Sequence, residues 1–226
     1  MIGNSLLAAV PRKVYARLLA GLEPVTLNFG EVLYEPGQAI RHVYFPDASL
    51  VSLLTLADGH LALEVGLIGR EGMVGIPLVL GHHVSAVRAL VQGSGTALRM
   101  ASATFIKELR LSLPLQRELY SYVHTLMAQI SQTAACNRFH VVEQRLARWL
   151  LMTHDRVKSD HFRMTQEFLG HMLGVRRVGV TKAAQVLQER GLINYSRGAI
   201  TILDRKGLES AACACYMVVR DMHDGA

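Results

Sequence analysis

Cysteine is scarce in this chain: 226 residues hold three, Cys136, Cys213 and Cys215. A sparse, odd count builds no disulfide framework and points to a reducing compartment. It also falls short of the roughly four thiolates that an iron–sulfur cluster takes. The three are read as small buried hydrophobes, with a thiol switch as the alternative. Aromatic residues make up only 6% of the chain, so aliphatic side chains must fill the core. Long apolar runs are missing too. No uninterrupted stretch reaches the about 18 residues of a membrane span, and Met1–Val10 lacks the basic start of a secretory signal. A cytoplasmic protein with no membrane partner is therefore expected. Between Val25 and Arg99 there is no GxGxxG, P-loop or nucleophile-elbow pattern. Glu64 and Glu71 read as ordinary surface or turn carboxylates, so neither an enzyme nor a catalytic residue is expected. The ten histidines are scattered, and the adjacent His82-His83 pair has no third ligand beside it. No metal site and no cofactor are assigned.

Half of the residues are hydrophobic and the formal net charge is +6. Much of the positive charge recurs between Asn137 and Arg190, at Arg138, Arg145, Arg148, Arg156, Lys158, Arg163, Arg176, Arg177, Lys182 and Arg190. Leu6–Leu22 is apolar at helical spacing, with a break at Pro11. From Val25 to Arg99 short apolar runs alternate with turns such as Glu35-Pro36-Gly37, Ala57-Asp58-Gly59 and Gly69-Arg70-Glu71-Gly72. Strands are expected at Val43–Phe45, Leu50–Leu56, Leu61–Ile68, Ala86–Val91 and Ala97–Met100, a pattern of antiparallel β-structure. Thr104–Leu111 reads as a short helix.

Leu115–Ala135 is the longest periodic segment. Leu115, Leu119, Tyr122, Leu126, Gln129 and Thr133 form a heptad-like seam, read as a dimer interface. Val123, Met127, Ile130 and Ala134 make a second stripe beside it. The alternative is one broad core-facing stripe in a monomer. A further helix, about Val141–His154, carries the lone Trp149. The chain is divided as residues 1–112, 113–137 and 138–226.

Residues 165–190 carry the clearest motif. Thr165 can cap a helix, with Glu167 in its first turn, where the helix dipole favours negative charge. Gly174 ends that helix, and a second begins near Val175–Arg177. Helix, glycine turn and helix with an exposed basic start form a helix-turn-helix. The first turns of such a second helix reach base edges in the major groove. Arg176, Arg177, Val178, Thr181 and Lys182 occupy them, with Thr165 and Gln166 at the start of the first helix. Arginine bonds guanine in bidentate fashion and valine can touch a thymine methyl. Val180, Ala184 and Leu187 are left for packing. The strands Ile193–Tyr195 and Ala199–Leu203 then flank Ser196-Arg197-Gly198, making a two-stranded wing. Its tip residues Ser196 and Arg197, with Tyr195 beside them, are candidates for phosphate contacts.

With these residues in view the sequence resembles the CRP/FNR family of bacterial transcription regulators over nearly its whole length. The resemblance rests on Thr165–Ala183, on the wing Gly191–Leu203 and on Gly30–Gly37, Val43–Pro46 and Gly69–Gly72. It implies an α+β chain: an N-terminal antiparallel β-roll like a cyclic-nucleotide-binding domain, a long dimerisation helix, and a C-terminal winged helix-turn-helix. Members that bind cyclic AMP carry a Gly-Glu pair for the ribose and an arginine for the phosphate. Here Gly72 is followed by Met73, and the second region reads His83-Val84-Ser85-Ala86. Methionine accepts no ribose hydrogen bond and valine neutralises no phosphate. The effector pocket, marked by Gly72, Met73, Val84 and Ser85, is therefore read as degenerate, and cyclic AMP as not the effector. The expected function is a homodimeric, sequence-specific regulator on a near-palindromic operator. Its partners are double-stranded DNA, a second copy of the chain and RNA polymerase, with the effector unidentified. The alternative is an effector-binding or protein-interaction module whose winged helix does not bind DNA.

Overall fold

The computed structural model describes residues 3–57, 61–157 and 159–224. Asp58 and Gly59 of one expected turn, and the basic residue Lys158, lie outside the described residues. The apolar stripe at the start forms two helices, α1 (Ser5–Ala9) and α2 (Arg12–Leu19). They are divided at Pro11, whose ring has no amide hydrogen to continue α1. Asn4 caps α1 by accepting from the Leu7 amide at 3.0 Å. Its own amide nitrogen donates to the carbonyls of Pro46 and Gly72, at 2.8 and 2.9 Å. One buried side chain thus pins the first helix to the chain at both Pro46 and Gly72.

Among the described residues seven strands follow: β1 (Glu23–Leu27), β2 (Val32–Tyr34), β3 (His42–Pro46), β4 (Leu50–Ala57), β5 (Leu61–Ile68), β6 (Arg88–Gly93) and β7 (Gly95–Ala101). They build a three-stranded sheet in the order β1-β7-β3 and a four-stranded sheet in the order β2-β6-β4-β5. β7 is antiparallel to both neighbours, with Leu98 opposite Pro24 on one side and Phe45 on the other. The antiparallel N-terminal half expected from the turn spacing is present. β1 and β2 were not among the expected strands. β1 is mostly exposed, and β2 has three residues with a register shift between Val32 and Tyr34, so neither shows a clean alternation. The strand expected at Ala86 begins at Arg88.

Two helices come next, α3 (Ser102–Leu111) and α4 (Leu113–Phe139). The described residues up to Thr55 form one compact unit with Gly66–Met127. The described part of Leu56–Val65 joins Ala128 onward in a second unit, so α4 contributes to both. The second unit also holds α5 (Val142–Val157), β8 (His161–Arg163), α6 (Gln166–Leu173), α7 (Arg177–Glu189), β9 (Ile193–Ser196), β10 (Ala199–Ile202), α8 (Arg205–Ala211) and α9 (Cys215–Asp224). Trp149, Leu150, Leu169, Val180, Leu187 and Leu208 are among its buried side chains. Trp149 Nε1 donates to Glu64 Oε1 at 3.0 Å. Glu64 is only 6% exposed, so it is no surface carboxylate. It accepts the one polar hydrogen of a buried indole, which otherwise would go unpaired.

The seam on α4 requires a correction. Leu115, Leu119, Tyr122, Leu126, Gln129 and Thr133 are all buried within the protomer, Leu119 at 0% exposure. They are core residues and have no surface left for a partner. The face of α4 left exposed carries Leu113, Tyr120 and Met127, spaced by whole heptads. The periodicity was real, but the seam it marked packs inside the protomer; of the second stripe Val123 is buried too, Ile130 is half-buried, and Met127 and Ala134 are exposed.

Candidate nucleic-acid interface

Thr165 caps α6 as its sequence suggests, accepting from the Phe168 amide at 3.1 Å. α6 ends at Gly174, at φ 60° and ψ 40°, a left-handed conformation that glycine adopts without penalty. The turn also needs Gly170: a Cβ there would lie 2.9 Å from the Val175 carbonyl oxygen. The chain can therefore fold tightly back, and the Val175 amide donates to the Gly170 carbonyl at 2.9 Å. α7 then starts with Arg176 as its N-cap residue. Val180, Ala183, Ala184 and Leu187 are buried along one side of α7. Arg176, Arg177, Val178, Thr181 and Lys182 are exposed on the other, Val178 at 59%. The structure thus brings these five together on one open surface. Gln166 joins them, because the Thr181 hydroxyl donates to its Oε1 at 2.7 Å.

The wing differs in detail from the sequence reading. Its sheet has three strands, in the order β8-β10-β9, because His161–Arg163 pairs with β10. β9 runs through Ser196, so the turn is Arg197-Gly198 alone. Both have positive φ, 49° and 79°, the two-residue hairpin conformation that follows the sheet twist. Ser196 and Arg197 are exposed at the tip. Tyr195 is committed elsewhere: its hydroxyl donates to the Met164 carbonyl at 2.7 Å. Burial, the larger influence, pushes its pKa up to about 12, against a smaller opposing effect of Arg177.

The basic series also thins in three dimensions. Arg145 and Arg148 are buried. Arg190 pairs with Glu143 at 2.9 Å, and Arg156 donates to the Met152 carbonyl at 2.9 Å. Arg163, Arg176, Arg177, Lys182 and Arg197 are exposed. Charge counted along the chain overstated what is available to a polyanion.

In the N-terminal unit, Met73 is wholly buried. A Cβ on Gly72 would fall 2.1 Å from the Tyr122 hydroxyl oxygen, so the ring of Tyr122 lies directly on this glycine. Ser85 is buried and bonded to Val87, its hydroxyl donating to that carbonyl at 2.8 Å, whereas Val84 is exposed. Sequence reading overlooked Tyr34. Its buried phenol lies beside both the Gly75 backbone and the Ser85 side chain, next to both segments of the expected pocket. Desolvation drives its pKa well above the usual phenol range. Arg88, the nearby cation, is paired with Glu35 at 2.8 Å. Among the described residues, Cys136, His140, Cys213 and Cys215 are the ones grouped closely enough to hold a metal ion.

Residues 144–211 match the family of Crp-like helix-turn-helix domains. The transcriptional regulatory protein Btr of Bordetella pertussis is 29% identical over 203 residues, which span 83% of this chain and 80% of that protein. Among solved structures, FixK2 from Bradyrhizobium japonicum superposes with a TM-score of 0.73 at 14% identity, covering 85% of this chain and 98% of its own. The c-di-GMP-responsive global regulator CLP of Xanthomonas campestris gives 0.69 at 16% identity, covering 85% and 99%. At such identities the structural likenesses carry the fold.

Proposed function

We propose that this chain is a transcription regulator of the CRP/FNR family, in keeping with its Crp-like helix-turn-helix segment and its likeness to a transcriptional regulatory protein, and that it binds a near-palindromic operator as a homodimer, without cyclic AMP as its effector. The observation that carries DNA reading is the exposed start of α7. Arg176, Arg177, Val178, Thr181 and Lys182 share one surface while the opposite side of the helix is packed. A helix lying in the major groove presents those turns to base edges. Arg177 and Arg176 suit guanine, and Val178 a thymine methyl. Arg197, Ser196 and the exposed start of α6 at Thr165 suit phosphates, which fix register. Gln166, held by Thr181, lies at the junction of the two helices.

Dimerisation is assigned to the exposed face of α4. Leu113, Tyr120 and Met127 recur at heptad spacing there, and a partner helix would cover them. Two copies related by a twofold axis would then read half-sites about one helical turn apart.

Against cyclic AMP stand two features. Met73 holds the position where a carboxylate would take the ribose, and Arg88 is tied to Glu35. A signal in the N-terminal unit, or binding of RNA polymerase, would act by shifting the population of DNA-competent dimers. No helix among the described residues is long and apolar enough to cross a membrane. A cytoplasmic regulator with no catalytic role is the reading that fits.

Selection of bound sequences from random duplex DNA tests this proposal. The expected product is an inverted repeat whose affinity falls steeply with salt. Recovery of no enriched motif, or binding indifferent to salt, would overturn it.

A further inference from the structure

The four side chains that group together lie far apart in the sequence. Cys136 sits in the last turn of α4, and His140 follows four residues later, one helical turn on, so both project from the same side. Their spacing is fixed by the backbone: the His140 amide donates to the Cys136 carbonyl at 3.1 Å. Cys213 lies between α8 and α9, and Cys215 is the first residue of α9. Folding of the second unit brings the two pairs together. Cys136 Sγ lies 3.5 Å from Cys213 Sγ, and Cys215 Sγ lies 3.5 Å from His140 Nδ1. The four donor atoms all fall within 4.8 Å of one another. Metal–sulfur bonds of about 2.3 Å and metal–nitrogen bonds of about 2.0 Å in a tetrahedron set donors about 3.5–3.8 Å apart. The cluster is therefore close to the size of such a shell before any ion draws it in.

The surroundings have the charge and the hydrogen bonds that this shell needs. Three thiolates, one neutral imidazole and a divalent cation sum to one negative charge. Arg145 and Arg148 are 7% and 5% exposed, and neither has a carboxylate partner among the described residues. Arg145 donates to Asn137 Oδ1 at 2.8 Å and to the Leu173 carbonyl. Arg148 reaches Thr133 Oγ1 and Met152 Sδ, at 3.5 and 3.4 Å. The Nε of each guanidinium has no partner among the described residues. Both cations act electrostatically on this cluster: Arg148 on Cys136, and Arg145 on Cys136 and Cys213. Buried guanidinium groups ordinarily demand an anion, and an anionic metal–thiolate centre is the candidate at hand. Gln132 Nε2 also donates to Cys215 Sγ at 2.9 Å, the outer-shell contact that holds a thiolate ligand in place.

We propose that Cys136, His140, Cys213 and Cys215 form a closed tetrahedral site of three sulfurs and one nitrogen for a zinc ion. Three thiolates with one imidazole is a ligand set of structural zinc, and four protein donors leave no open position for catalysis. Binding breaks three S–H bonds, releasing up to three protons to solvent, and changes no oxidation state. The ligands stand on both flanks of residues 144–211, the segment matched by the Crp-like helix-turn-helix family. Zinc would tie those two flanks together. The site stands whether or not the chain reads DNA.

Cobalt(II) and zinc(II), added to the reduced, metal-free full-length protein, test this directly. One equivalent of cobalt per chain should give sulfur-to-metal charge transfer and the intense visible bands of a tetrahedral site, and zinc should abolish both. One equivalent of zinc should protect all three thiols from an aromatic disulfide reagent. H140Q should keep the charge transfer and shift the visible bands, and C213S should weaken the charge transfer. Where C213S fails to fold, thiol protection in the wild-type chain decides alone. Thiols that stay reactive with zinc present, an octahedral cobalt spectrum, or one that ignores H140Q overturns the proposal. An iron–sulfide chromophore in the purified protein overturns the choice of metal.

Discussion

The hydroxyl of Thr181 on α7 donates to Gln166 Oε1 on α6 across 2.7 Å. The pair locks together the two helix starts that face DNA in the proposed complex, and it does so at the surface. Removing it should therefore leave the fold nearly untouched. T181V should change stability by less than about 0.5 kcal/mol, as exposed substitutions do. It should weaken operator binding by about 1 kcal/mol, near fivefold, the worth of one neutral hydrogen bond. T181S should retain wild-type affinity. Fluorescence anisotropy beside thermal unfolding separates the two effects, and an unchanged T181V affinity would remove this pair from the interface.

Arg177 and Arg197 should fail in different ways. R177A should cost about 1–3 kcal/mol at the selected operator and relax preference at one base position. Arg197 sits at φ 49° in the wing turn, so alanine there would disturb the hairpin as well as remove charge. R197N keeps a residue that tolerates positive φ. It should weaken binding evenly across sequences and lower the salt slope by about one. Competition titrations at several salt concentrations would distinguish them, and equal losses on specific and random DNA for both would contradict the division.

The two stripes on α4 should also part company. M127E places a charge on the exposed face and should shift the dimer toward monomer at unchanged chain stability. L119A empties a fully buried site and should cost about 2–5 kcal/mol of stability. Sedimentation velocity and urea unfolding report the two quantities. A dimer indifferent to M127E would move the interface elsewhere.

Cyclic AMP should give no micromolar isotherm in calorimetry. M73E restores the missing carboxylate type but buries an unpaired charge in a fully enclosed position. It should destabilise the chain by several kcal/mol rather than create a nucleotide site. A folded M73E protein that binds cyclic AMP would show that Met73 alone had closed the pocket.

Local signals were legible without a structure. Pro11 divided α1 from α2 because a missing amide hydrogen acts wherever the fold goes. Thr165 and Gly174 bounded α6 because a cap and a left-handed turn are properties of single residues. The exposed start of α7 followed from helical periodicity over one short stretch. Long-range facts were different in kind. Periodicity on α4 showed that two stripes existed, but which was buried depended on what packed against it. Arg145 and Arg148 belong to the basic series along the chain, but α5 turns them inward. Glu64 looked like any turn carboxylate until Trp149, 85 residues away, was found donating to it. Cys136 and His140 share one helical turn, and Cys213 and Cys215 have one residue between them, so each half of the proposed metal site was visible. Their meeting was not, because 77 residues separate Cys136 from Cys213. Caps, turns, periods and the exposed start of α7 could be read along the chain, because they depend on neighbours in sequence. Tertiary structure alone decided which faces are buried, which charges reach solvent and which thiols converge, because those depend on neighbours in space.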